Sequence, residues 1–192
     1  MDEGYIKFNF DLEKKQIINQ FSISELNECR TKLKNLNLIG YKDGISFGNV
    51  SKRINMNSFI ISGSDTGKFD VLNKNQFCLV DSWNLKNNYV HSIGLTPPSS
   101  ESLTHAAIYE ALPDNQYVIH IHSKILWNRY LGKYLSSKKE YNYGTPDIAL
   151  NIKDLVIKNS AENILIMGGH FEGLIFWGND INLIYKDIKS LL

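Results

Sequence analysis

The chain has 192 residues, 43% of them hydrophobic and 21% charged, and its 21 basic and 20 acidic residues leave a formal net charge of +1. That length and apolar fraction suit one domain, residues 1–192, with a substantial core; the even spread of basic residues argues against a nucleic-acid binder, which would gather them on one face. No apolar run reaches membrane-spanning length, the opening MDEGYIKFNF is acidic and alternating rather than signal-like, and Cys29 and Cys78 read as buried free thiols, so the expectation is a cytoplasmic protein without a membrane or nucleic-acid partner.

Tyr5 to Phe10 alternates apolar and polar residues and predicts an edge strand within an N-terminal extension, residues 1–21. Ser22 to Asn37 predicts a helix. Ser22 and Glu25 form a capping-box pattern, and Leu26, Cys29, Leu33 and Leu36 make its apolar stripe. Ile45 to Ile54 reads as a strand interrupted at Gly48 and Asn49, and Ser58 to Ser62 as a second strand that runs into the polar loop SGSDTGK. Gln76 to Trp83 and Tyr89 to Ile93 are two more strands. Four strands on short loops predict a mainly antiparallel sheet. Ser100 to Leu112 then predicts a helix, Tyr117 to His122 a buried strand, and Ile125 to Leu135 a helix. Thr145 and Pro146 open a helix that runs to about Lys158. Asn163 to Met167 and Gly173 to Trp177 are strands, and Asp180 caps a last helix. This mixture predicts a central sheet with helices on its flanks.

The chemistry gathers between Thr96 and Ser123. Side chains alternate faces on a strand, so His120 and His122 project the same way, as two ligands of one metal ion must. His170 follows the apolar run NILIM and the pair Gly168-Gly169, at a strand end where loops present side chains for chemistry. Three neutral imidazoles leave a coordination position open, as in a catalytic zinc site. Glu101 is either the fourth ligand or a nearby acid/base. His91 and His105 read as structural. Gly48, Gly63 and Gly67 allow backbone N–H groups to approach an anion. Asn49, Ser62 or Thr66, and Ser99 with Ser100 stand in three separate loops, the two serines at the start of the Glu101 helix, where the dipole favours negative charge.

In GNVS at Gly48 to Ser51, PSSE at Pro98 to Glu101, HIH at His120 to His122, THAAIY at Thr104 to Tyr109 and GTP at Gly144 to Pro146, the chain resembles the class II aldolase and adducin head-domain family. The resemblance implies an α/β fold, a three-layer αβα sandwich around a largely antiparallel sheet. It implies Zn2+ on His120, His122 and His170, with Glu101 as ligand and acid/base, and a small anionic sugar whose phosphate lies among Asn49, Ser62 or Thr66, Ser99 and Ser100. It further implies a homotetramer and a lyase that cleaves a phosphorylated ketose by a retro-aldol reaction through a zinc-stabilised enediolate. A sugar-phosphate dehydratase or epimerase would use the same metal, and an adducin-like scaffold would lack the ligands. Three features depart from the family pattern. Aldolases of the family carry a short Thr-Gly loop after the second strand, whereas this chain has ISGSDTGK, in which either Ser62-Gly63 or Thr66-Gly67 takes that role. Phe171 and Glu172 separate His170 from Gly173, where the family places glycine directly after the histidine. The family's C-terminal tail with a catalytic tyrosine is not matched, which turns attention to Tyr141 or Tyr143 as proton donor.

Overall fold

The computed structural model describes residues 5–17 and 21–192. Short β-branched and aromatic segments pair into one eight-stranded sheet. Its strands are β1 (Asn9–Lys14), β4 (Asn49–Asn55), β5 (Ser58–Ser62), β6 (Phe77–Asn84), β7 (Tyr89–Gly94), β8 (Tyr117–His122), β9 (Ile164–Ile166) and β10 (Gly173–Gly178). The spatial order is β1-β7-β6-β5-β4-β8-β10-β9. Every pairing is antiparallel except that of β1 with β7. A separate hairpin joins β2 (Gly40–Lys42) and β3 (Ile45–Phe47).

Among the described residues, five α-helices cover the sheet: α1 (Ser24–Asn35), α2 (Ser102–Ala111), α3 (Lys124–Tyr130), α4 (Pro146–Lys158) and α5 (Ile181–Ser190). The two-residue period of the strands sorts their side chains between two cores. Phe59, Ile61, Val80, Val118 and Ile175 pack with Leu103 and Ala107 of α2 and Ile148 and Ile152 of α4. Ile60, Ile119, Ile121, Leu174 and Phe176 pack on the other face with Leu26 and Leu33 of α1, Leu126 of α3 and Ile184 and Ile188 of α5. The result is a mixed α/β fold with helices on both faces of a largely antiparallel sheet, as expected.

Several boundaries move. The edge strand occupies Asn9–Lys14 instead of Tyr5 to Phe10 and lies parallel to β7, with Asn9 opposite Tyr89. Helix α1 starts after Ile23, with no side-chain cap. Glu25 accepts instead from Lys52 and from Tyr117 Oη, a more rewarding pair of partners than the capping box offered. Helix α2 begins at Ser102, with Glu101 itself at the N-cap position. Helix α3 stops at Tyr130, ahead of a turn in which Gly132 takes φ +77°. Thr145 directs its hydroxyl to Asn142 O, 2.6 Å away, and does not cap α4 with its side chain. Strands β5 and β8 fall where expected, and Asp180 caps α5 through Asn182 N and Leu183 N.

Candidate active site

Strand β8 fixes two histidines by its pleat. His120 and His122 share the face of Val118, the face on which α2 lies. On one side Asn49 of β4 stands opposite His120; on the other, Gly173 of β10 stands opposite His122. Gly48 turns the chain from β3 into β4 at φ +73°, and a Cβ there would fall 2.6 Å from Ile39 Cγ1 and 3.1 Å from His120 O. Only glycine lets the chain enter β4 so close to β8.

His170 comes from the β9–β10 connection. His170 N donates to Met167 O (3.1 Å), Gly173 N donates to His170 O (2.9 Å) and Met167 N to Gly173 O (2.9 Å), so the loop is tied at its base. The two residues between His170 and Gly173 are accommodated outside the histidine group. Phe171 is exposed and packs edge-on against Trp127, and Glu172 adopts φ +68°. The ligand atoms of His120, His122 and His170 all lie within 4.8 Å of one another, the one such metal-competent group among the described residues. Glu101 meets this group from the start of α2. Its Oε1 is 3.2 Å from His170 Nδ1, and its Oε2 accepts from Thr104 Oγ1 at 2.6 Å.

All four of these side chains are buried. Burial, reinforced by the neighbouring histidines, pushes the His120 and His122 imidazoles well below their ordinary range. A neutral imidazole is the form that ligates a metal. His120 Nε2 is buried with no hydrogen-bond partner among the described residues, a costly arrangement that a cation would relieve. The donor set therefore fits a divalent ion.

These four residues open onto a cleft of about 400 Å³, its mouth included, whose lining also contains Gly48, Asn49, Gly63, Thr66, Gly67, Ser99 and Ser100. Ser62 is buried outside that lining, where its Oγ accepts from Val50 N at 3.2 Å. Asn49 Nδ2 donates to Ser99 Oγ (2.9 Å) and lies 3.5 Å from His120 Nδ1. Ser99 Oγ also lies 3.5 Å from Glu101 N. The glycine amides in the polar loop are used within the protein: Gly63 N donates to Gln76 O (2.8 Å) and Gly67 N to Ser46 Oγ (3.2 Å).

Ser46 and Phe47, which sequence reading passed over, complete the lining together with Ser64 and Asp65 of the polar loop. Asp65 Oδ1 accepts from Ser46 Oγ at 3.0 Å and its Oδ2 pairs with Lys68 Nζ at 2.5 Å, so its charge is answered locally. Arg30 was also missed. Buried in α1, it donates to Thr66 O (2.8 Å), Phe69 O (2.9 Å) and Asp70 O (3.2 Å) and pins the polar loop to the helix. The signal was a cation beside Leu26, Cys29 and Leu33 in an otherwise apolar stripe.

Comparison with known proteins now has a geometry to meet. The family model described as Class II Aldolase and Adducin N-terminal domain matches residues 34–191. The chain belongs to this family. Solved structures with the same fold include an L-fuculose 1-phosphate aldolase, 17% identical, covering 92% of this chain and 85% of its own, with a TM-score of 0.66. The L-fuculose-1-phosphate aldolase of Thermus thermophilus is 16% identical over 88% of this chain and 87% of its own, TM-score 0.63. An aldolase II superfamily protein of Pseudomonas syringae is 15% identical over 87% of this chain and 70% of its own, TM-score 0.60. A search of the curated proteins finds no sequence match. At such identities the structural likenesses establish the fold; family membership rests on the matched model.

Proposed function

We propose that the protein is a divalent-metal-dependent lyase of aldolase type that cleaves a phosphorylated or otherwise anionic ketose. One observation carries the reading: three buried histidines whose ligand atoms lie within 4.8 Å of one another, with a buried carboxylate 3.2 Å from the third. His120, His122 and His170 would hold the ion, zinc being the best match to three imidazoles. When bound, a divalent cation supplies Lewis-acid stabilisation of the negative charge that carbon–carbon cleavage places on the ketose oxygens.

The remaining work falls to the chain. Thr104 holds Glu101 Oε2, which leaves Oε1 toward His170. Glu101 Oε1 takes the proton from the hydroxyl whose carbon departs as an aldehyde and returns it to the carbon left behind. A neutral His120 that offers Nε2 to a cation carries its proton on Nδ1. A half-turn of the Asn49 amide presents Oδ1 to that N–H and to the Ser99 hydroxyl, so Asn49 fixes both the tautomer and the ring. The anionic end of the substrate rests against Gly48-Asn49, Gly63, Thr66-Gly67 and Ser99-Ser100. The head of α2 is the positive end of the helix dipole and favours negative charge there. The enzyme works as a homotetramer.

The test begins with protein purified without chelator and assayed for metal content. It is then offered a panel of ketose phosphates while aldehyde release is followed. Glu101→Gln is expected to keep its metal and lose at least about 100-fold in kcat. A Glu101→Gln protein as active as the wild type, or a wild type that releases no carbonyl product from any ketose, overturns the reading.

A further inference from the structure

We infer that Tyr143, braced by Lys7, is a positioning residue for His170, so that a segment ahead of the family-matched region helps set the affinity of the metal site. The inference rests on the metal reading above but concerns a different pair of residues.

His120 and His122 owe their aim to a strand. His170 stands in a loop and needs its ring fixed by other means. One constraint is Glu101 at its Nδ1 edge. Another is a face contact: the Tyr143 ring stacks on the His170 ring with centroids 4.6 Å apart and planes 23° from parallel. Tyr143 is itself buried, and its backbone N donates to Gly169 O at 3.3 Å, so strap and histidine loop are joined beside the ligand.

Lys7 completes the stack. Its Nζ lies 3.8 Å from the Tyr143 ring centroid, well inside the range of a cation–π contact. The segment carrying Lys7 is held in three ways. Phe8 is buried in the core beneath α2 and α4. Asn88 Nδ2 donates to both Lys7 O (3.1 Å) and Gly144 O (3.3 Å), clasping the two strands of chain together. Gly144 takes φ +71°, and a Cβ there would sit 2.9 Å from Lys7 Cβ, so a side chain at that position would push Lys7 away. Residue 7 lies well before residue 34, where the family match begins. The metal ligand is thus buttressed by the chain's N-terminal segment, outside the family-matched stretch.

The experiment reads metal affinity, not turnover. Chelator-stripped protein is titrated with Zn2+ against a chromophoric competitor, and the absorption spectrum of the Co2+ form is recorded. Tyr143→Phe keeps the ring and is expected to bind zinc within about two-fold of wild type. Tyr143→Leu is expected to bind about 10–100-fold more weakly, the usual cost of losing support behind a ligand, and to alter the Co2+ bands. Lys7→Met keeps the stem, removes the charge and is expected to cost about two- to five-fold, with the melting temperature of the stripped protein unchanged. A folded Tyr143→Leu with wild-type zinc affinity and an unchanged Co2+ spectrum overturns the positioning role. If Tyr143→Leu does not fold, wild-type affinity in Lys7→Met overturns it instead. His122→Ala separates the two readings, because a wild type that binds no zinc, or a His122→Ala protein that binds it equally well, removes the metal site itself.

Discussion

His105 lies one turn beyond Glu101 on α2 and is not itself part of the cleft lining. Its Nδ1 shares a 2.7 Å hydrogen bond with Ser51 Oγ, which is also 2.8 Å from Tyr109 Oη. Complete burial pushes this imidazole down to about 3. The folded state therefore refuses a proton that the unfolded chain accepts below about pH 6.5. The sign follows: the stabilisation is complete above about pH 6.5 and is lost as the pH falls toward about 3. In urea denaturation with chelator present, wild type should lose stability relative to His105→Asn by on the order of 1 kcal/mol per pH unit across that window. Parallel profiles for the two proteins would refute a buried neutral His105. At this scale the histidines were legible because two of them sit two apart on a strand and the third is isolated beyond the next apolar run. The partners of Asp65 and the targets of Arg30 were not. They depend on chain segments 19 and 36 residues away, respectively, for which a sequence carries no local pattern.

Helix α2 illustrates how an element aims a residue. Its head carries Glu101, and its tail is held by Arg53, buried on β4. The Arg53 guanidinium donates to Tyr109 O (2.6 Å), Leu112 O (3.0 Å) and Asn115 O (2.8 Å). Carbonyls at a helix C-terminus have no partner within the helix, and a cation there also suits the dipole. Arg53→Leu takes the side-chain donor from Tyr109 O and Asn115 O, leaving Leu112 O with Asn115 N, and should cost about 3 kcal/mol in chemical denaturation. Arg30→Met frees the polar loop from α1. That variant should melt lower and bind inorganic phosphate more weakly, while zinc affinity stays within about two-fold because no histidine ligand is in the loop. Unchanged phosphate binding would show that Arg30 serves stability alone. Strands β5 and β8 were read correctly because their apolar runs are bounded by turn residues on both sides. Strand β1 was misplaced because its residues are mostly exposed and its register comes from Tyr89–Gly94, some eighty positions away.

For the molecule as a whole, a sedimentation experiment at micromolar concentration is expected to give a tetramer, and a monomer would remove that part of the proposal. Within one chain, the two ends of the sheet are built differently. At one end the three-residue β9 is flanked by the segment at Ser136, which bridges to Ile166, with Ser137 N donating to Ile166 O at 3.0 Å and Ile166 N to Leu135 O at 2.8 Å. At the other end β1 lies along the full length of β7 and covers its hydrogen-bonding edge. None of the first strand belongs to the stretch matched by the family model. A shortened gene that begins after Lys14 would keep α1 but express a chain whose β7 presents six residues of open backbone, alternately half-buried and buried, to its neighbours. Such an edge recruits strands from other molecules. Aggregation in the expression host would then follow from trimming a region that lies outside the family match, and any soluble remnant would also lack Lys7. Strand β1 is the sheet's selvedge.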